Sequence, residues 1–93
     1  MVVKAIQVEV FSSPGCNRCG QVFDILRTIT RELGADRIAW RKVNVLDELD
    51  YAVGLGVLSM PAIAIDGELV FKRHPSARKL REALETRLQA QTA

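Results

Sequence analysis

The sequence predicts a single α/β domain, a four-stranded mixed sheet flanked by helices in the order βαβαββα. Three observations carry this prediction. The chain opens on an alternating, β-branched run; two later stretches repeat apolar residues every three or four positions; and Asp66-Gly67 separates two short apolar runs. A period of two belongs to a half-buried strand, a period near 3.6 to one face of a helix, and Asp-Gly between strands to a tight hairpin.

Residues 2–11 alternate around Ile6, Val8 and Val10, which predicts a buried strand. Ser12-Ser13-Pro14-Gly15 is loop chemistry and delivers the chain to Cys16. From Asn17 onward, Val22, Leu26, Ile29 and Leu33 form a helical stripe that Gly34 ends. Residues 38–45 return to strand character. Residues 47–53 give a short, weak helix signal, broken by Gly54 and Gly56. Ala62-Ile63-Ala64-Ile65, Asp66-Gly67 and Glu68-Leu69-Val70-Phe71 predict a hairpin with a type I′ turn. Ala77, Leu80, Leu84 and Leu88 mark a final amphipathic helix, with Pro75 and Ser76 placed to start it. The first half is then a βαβ unit with parallel strands and a right-handed crossover, to which the hairpin adds antiparallel strands.

The 93 residues make one domain, with no room for a second core and no internal repeat, linker or low-complexity segment. A hydrophobic content of 48% with 26% charge is that of a globular protein rather than a disordered one. The net charge is +2, and the cations read as scattered (Lys4, Arg18, Arg27, Arg31, Arg37, Arg41), with no regular interleaving of aromatic residues. That distribution speaks against a nucleic-acid partner. No stretch reaches membrane-spanning length, and the first ten residues lack the unbroken apolar core and cleavage site of a signal peptide. The expectation is a cytoplasmic monomer, in a compartment where a close cysteine pair is more often catalytic or metal-binding than structural.

That pair, the only two cysteines, is Cys16-Asn17-Arg18-Cys19, between a strand and a helix. A thiol at a helix N-terminus meets unpaired backbone N–H groups and the positive end of the helix dipole. Both favour the thiolate, the form that attacks disulfides or binds soft metals. A second thiol three residues on can close a disulfide or complete a two-sulfur site.

With Ser59-Met60-Pro61 immediately before the hairpin, this arrangement resembles the thioredoxin fold. Gly56-Val57-Leu58-Ser59-Met60-Pro61 is similar to the thioredoxin approach to its cis-proline. Phe11-Ser12-Ser13-Pro14-Gly15-Cys16 and Ile65-Asp66-Gly67 look more like glutaredoxin. The resemblance spans residues 3–88 and lacks the extra N-terminal strand and helix of full-length thioredoxins. It implies a minimal thioredoxin fold, a small glutaredoxin-sized thioredoxin-like protein.

The resemblance implies a thiol–disulfide oxidoreductase or electron carrier. Cys16 is then the attacking thiolate and Cys19 the resolving thiol, cycling through a Cys16–Cys19 disulfide with no other cofactor. It implies a protein or small-molecule disulfide as substrate, and a reductase or thiol reductant to return the electrons. Pro61 is expected to be cis and, with Met60, Arg18 and Asn17, to line the substrate site; Met60 offers substrate a soft apolar contact or belongs to the core. Arg18 either adds Coulombic support to the thiolate or is a solvated loop cation. In the first case the couple is more oxidising than that of a proline-containing thioredoxin motif.

Several positions depart from the family pattern. Thioredoxins carry a buried aspartate six residues before the first cysteine, and here that position is Val10. Glu9 is adjacent but belongs to the opposite side of the strand. Lys42 matches the lysine that pairs with the aspartate and, without its partner, reads as a solvated strand residue. Gly15 replaces the tryptophan that usually precedes the motif, and Trp40 reads as a core or sheet-face residue. The Gly-Gly stretch and acidic residue of a glutaredoxin glutathione site are replaced by Lys72-Arg73-His74-Pro75-Ser76. Lys72 and Arg73 read as surface charge and His74 as exposed at the start of the last helix.

Two readings of other classes compete. Copper and mercury carriers also place C-x-x-C between a first strand and a first helix, and two thiolates suit soft ions. Their element order differs, however, and zinc would need four ligands where the chain has two cysteines and one histidine. The third reading is a non-catalytic binding module on the same fold.

Overall fold

The computed structural model describes residues 5–92, and the first residues of the predicted opening strand, 2–4, lie outside the described residues. The elements follow the predicted order: β1 (Ile6–Ser12), α1 (Cys19–Leu33), β2 (Ile38–Asn44), α2 (Leu49–Leu55), β3 (Ala62–Ile65), β4 (Glu68–Phe71) and α3 (Ala77–Thr92). The sheet order is β2-β1-β3-β4, with β1 parallel to β2 and antiparallel to β3, and β3 antiparallel to β4. The sheet is therefore mixed, and β1 and β3 are its two inner strands.

Alternation along the inner strands decides which helix covers which face. Ile6, Val8 and Val10, with Ile63 and Ile65 of β3, face α1 and α3 and join Val22, Leu26, Ile29, Leu80, Leu84 and Leu88 in one apolar cluster. Phe11, Val43, Ala62 and Ala64 point the other way, where Ala52 of α2 closes a smaller cluster. Every fully buried residue described is apolar. Leu26 and Leu84 are completely buried, and truncating either to Ala costs about 2–5 kcal/mol.

Two helix boundaries differ from the sequence expectation. The first helix begins at Cys19 rather than Asn17, because the chain is still in a turn at Asn17 and Arg18. The second runs from Leu49 to Leu55, through Gly54, and ends at Gly56. The hairpin matches its prediction: Asp66 has φ 50° and Gly67 φ 81°, the positive pair that a type I′ turn requires. Ser76 caps α3, its Oγ accepting from the Lys79 N–H at 3.1 Å.

Helix α2 is short, and a polar network fixes it to the sheet. Arg41 of β2 lies opposite Glu9 of β1 in register and donates to Glu9 at 2.6 Å and to Glu48, just before α2, at 3.0 Å. The Tyr51 hydroxyl of α2 donates to the other Glu9 oxygen, and its ring meets Phe11 at 5.9 Å. Hydrogen bonds to Glu48 and Glu9 hold the Arg41 guanidinium protonated more firmly than usual. The hydrogen bond to Glu9, followed by partial burial, raises the Tyr51 pKa above its ordinary value.

The raised Tyr51 pKa gives the sign of a pH effect. The neutral phenol is the form the fold stabilises, so its contribution is complete below the ordinary tyrosine pKa of about 10 and is lost as pH rises through the higher folded value. Tyr51→Phe is expected to lower stability by about 1 kcal/mol at neutral pH. It should also flatten the alkaline decline in the melting temperature, measured by circular dichroism from pH 8 to 11.

Candidate active site

The site grows from the C-terminal end of β1. Ser12 is the last strand residue, and the chain turns at once: the Cys16 N–H donates to the Ser13 carbonyl at 3.2 Å. Pro14 and Gly15 occupy the middle of this turn, and Gly15 has φ 83°. Proline followed by a residue of positive φ is the signature of a type II turn, which is why Gly15 suits the position better than a larger residue. A tryptophan there would be strained by the positive φ, although the space around the position is open.

The turn leaves Cys16 before the helix and Cys19 at its first position. The sequence expectation of Cys16 directly on the helix N-terminus is corrected by two residues, since Arg18 occupies the cap position. Its side chain makes no capping hydrogen bond, and the first turn contains no acid. The positive end of the helix dipole is therefore not offset by an anionic side chain. The two sulfurs are joined as a disulfide, with Cα atoms 5.6 Å apart. Cys16 is partly exposed, whereas Cys19 is only 3% exposed.

From the opposite side comes the segment before β3. The Met60–Pro61 peptide is cis, and Pro61 is buried. Met60 joins Cys16, Asn17 and Arg18 in lining one open depression of about 420 Å³. Four of the expected site residues thus share one surface, and Pro61 sits behind Met60. Ser59 ties this segment to the end of β4, its Oγ donating to the Lys72 carbonyl at 3.0 Å.

The flanking positions show what is absent from the centre. Val10 is fully buried on the α1 side, and no polar or charged residue among those described is buried with it. Glu9 lies on the other face, held by Arg41 and Tyr51, as strand alternation requires. Lys42 is opposite Val10 in register, and its Nζ sits 4.5 Å from the Phe23 ring centroid. It is exposed but rests on an aromatic face, a contact that strand periodicity alone does not reveal. Trp40 is half-buried and stacks on Phe23 at 6.0 Å, a sheet-face position. His74 corrects its expectation: it is half-buried, with Nε2 shielded, and the following Pro75 is buried.

Leu58 was barely legible. It is 95% exposed, beside Met60, and only its place in the loop before Pro61 signals that it faces outward. Among the described residues no group of three or more His, Cys, Asp and Glu side chains is placed to hold a metal ion. No described helix is long and apolar enough to cross a membrane.

Comparison with known proteins agrees with this geometry. The family model of the thioredoxin domain matches residues 5–85. A probable thioredoxin of Methanothermobacter marburgensis is 33% identical over 89 residues, covering 96% of this chain and all of that protein. A probable thioredoxin of Methanothermobacter thermautotrophicus is 31% identical, covering 90% of this chain and 98% of its own. Among solved structures, thioredoxin 1 of Thermosipho africanus superposes with a TM-score of 0.75 at 19% identity, covering 94% of this chain and 99% of its own. A bonded C-x-x-C pair at this place makes the protein a thiol–disulfide oxidoreductase, and the chain belongs to the thioredoxin family.

Proposed function

We propose that the protein carries electrons to protein disulfides, with Cys16 as the attacking thiolate and Cys19 as the resolving thiol. The observation that supports this assignment is the unequal exposure of the pair: Cys16 opens on the depression, and Cys19 is buried behind it.

The cycle starts when a reductase or thiol reductant supplies two electrons and two protons to the Cys16–Cys19 disulfide. The Cys16 thiolate then attacks one sulfur of the substrate disulfide. A new sulfur–sulfur bond joins Cys16 to substrate, and the displaced substrate sulfur leaves and takes a proton. Cys19, deprotonated in turn, attacks the Cys16 sulfur. The internal disulfide reforms, and the second substrate sulfur leaves as a thiol.

Asn17, Arg18 and Met60 line the depression in which substrate would lie, and Pro61 fixes the direction of Met60. A shift of the Cys16 pKa from about 8.5 to about 7 would raise its thiolate from a few per cent to half, at about 2 kcal/mol. The uncapped helix start and Arg18 both act in that direction. This reading sets the protein in the cytoplasm, where thiols are kept reduced.

Cys16→Ser should abolish reduction of a protein disulfide such as insulin, whereas Cys19→Ser should accumulate a mixed disulfide that non-reducing electrophoresis detects. Unaltered exchange in both variants, with a collapse of copper affinity, would instead favour metal carriage. Arg18→Ala is expected to make the couple more reducing by about 10 mV, the scale of one exposed cation, measured by equilibration with glutathione.

A further inference from the structure

Charge is unevenly distributed along this chain. Residues 69–81 carry five cations (Lys72, Arg73, Arg78, Lys79 and Arg81) and no carboxylate. The rest of the chain is net negative, with eight cations against eleven carboxylates. The small overall charge of +2 therefore conceals a basic end to the molecule, formed by the exit of β4 and the start of α3.

Ion pairing sorts these five cations. Arg78 pairs with Glu82 at 3.2 Å, and Arg81 with Glu32 at 2.6 Å. Elsewhere Arg27, Arg41 and Arg87 also have carboxylate partners. Lys72, Arg73 and Lys79 are exposed and form no ion pair among the described residues. All three line one open depression of about 350 Å³. Unpaired cations gathered around a concavity hold a positive potential that no neighbouring carboxylate cancels.

The position of this depression links it to the disulfide. The Lys72 carbonyl accepts the Ser59 hydroxyl, and Ser59 precedes Met60, which lines the cysteine depression. Lys72, which lines the basic depression, is thus bonded to the residue next to Met60, which lines the cysteine depression.

We propose that Lys72, Arg73 and Lys79 form a docking site for an acidic polypeptide segment, selecting substrates whose disulfide is flanked on one side by Asp or Glu. The inference rests on the reading of Cys16 as the attacking thiol. A polypeptide fits better than a nucleic acid, because three unpaired cations neutralise few phosphates. Each cation contributes about a two- to fivefold preference at low ionic strength, and salt screens the effect.

The test compares two disulfide-linked peptides of equal length, one with Asp-Glu flanking its cysteine and one with Asn-Gln. The reduced wild-type protein should reduce the acidic peptide faster at 20 mM salt, and the ratio should approach one at 0.5 M. Arg73→Glu should lower that ratio about tenfold or invert it. Arg31→Glu, which changes net charge equally near the far end of α1, should leave the ratio as in the wild type. A ratio near one in the wild type, or an equal fall in both variants, would overturn the proposal. So would competition by duplex DNA at concentrations where an unlinked acidic peptide does not compete. Failure of Cys16→Ser to stop reduction of the neutral peptide would instead overturn the reading of the thiol and leave the charge ratio readable.

Discussion

The pairing of β1 with β3 is the constraint on which the site depends. These inner strands run antiparallel with Phe11 opposite Ala62. One chain therefore leaves the sheet toward Cys16 at the place where the other enters it from Met60 and Pro61. A shift of one residue would turn Ile63 and Ile65 from the α1–α3 cluster to the face that accommodates only Ala62 and Ala64. Packing thus specifies the register, and the register brings a cysteine loop and a proline loop, more than forty residues apart in sequence, to one mouth. Catalytic geometry here is a consequence of how two apolar clusters divide four short strands.

The same division explains why the centre has an unusual chemical setting. Val10 sits where the family pattern places an acid, in the apolar cluster closed by α1 and α3. Lys42 has no carboxylate opposite and rests on Phe23 instead. The acid that is nearby, Glu9, is committed on the reverse face to Arg41 and Tyr51, where it anchors α2. Cys19 is buried, with no polar or charged residue buried beside it among those described. Cys16, partly exposed, opens on the depression. The two sulfurs of one bond are thereby differentiated by their surroundings.

Much of this was legible in the sequence where local chemistry alone decides structure. Asp66-Gly67 has one good backbone solution, Ser76 is a cap wherever a helix starts after it, and the stripe from Val22 to Ile29 can face only a core. The helix boundaries were less legible, because the turn through Asn17 and Arg18 is shaped by the neighbouring strand and by the bond between Cys16 and Cys19. Long-range polar contacts were not legible at all. That Arg41 meets Glu9 follows only from the parallel register, and that Tyr51 meets both Glu9 and Phe11 follows from where α2 docks. The cations are scattered along the chain, and only the structure shows that Lys72, Arg73 and Lys79, all without an ion pair among the described residues, line one depression.

The central claim is that the fold leaves Cys16 accessible as the attacking thiol and Cys19 buried. Alkylation of the fully reduced protein with iodoacetamide across pH 5–10, with the labelled cysteine located by mass spectrometry, tests it directly. The account predicts a single labelling transition at Cys16, with an apparent pKa below the free-cysteine value of about 8.5, and no labelling of Cys19 until the protein unfolds. Labelling of Cys19 at the same rate as Cys16, or ahead of it, would contradict the account.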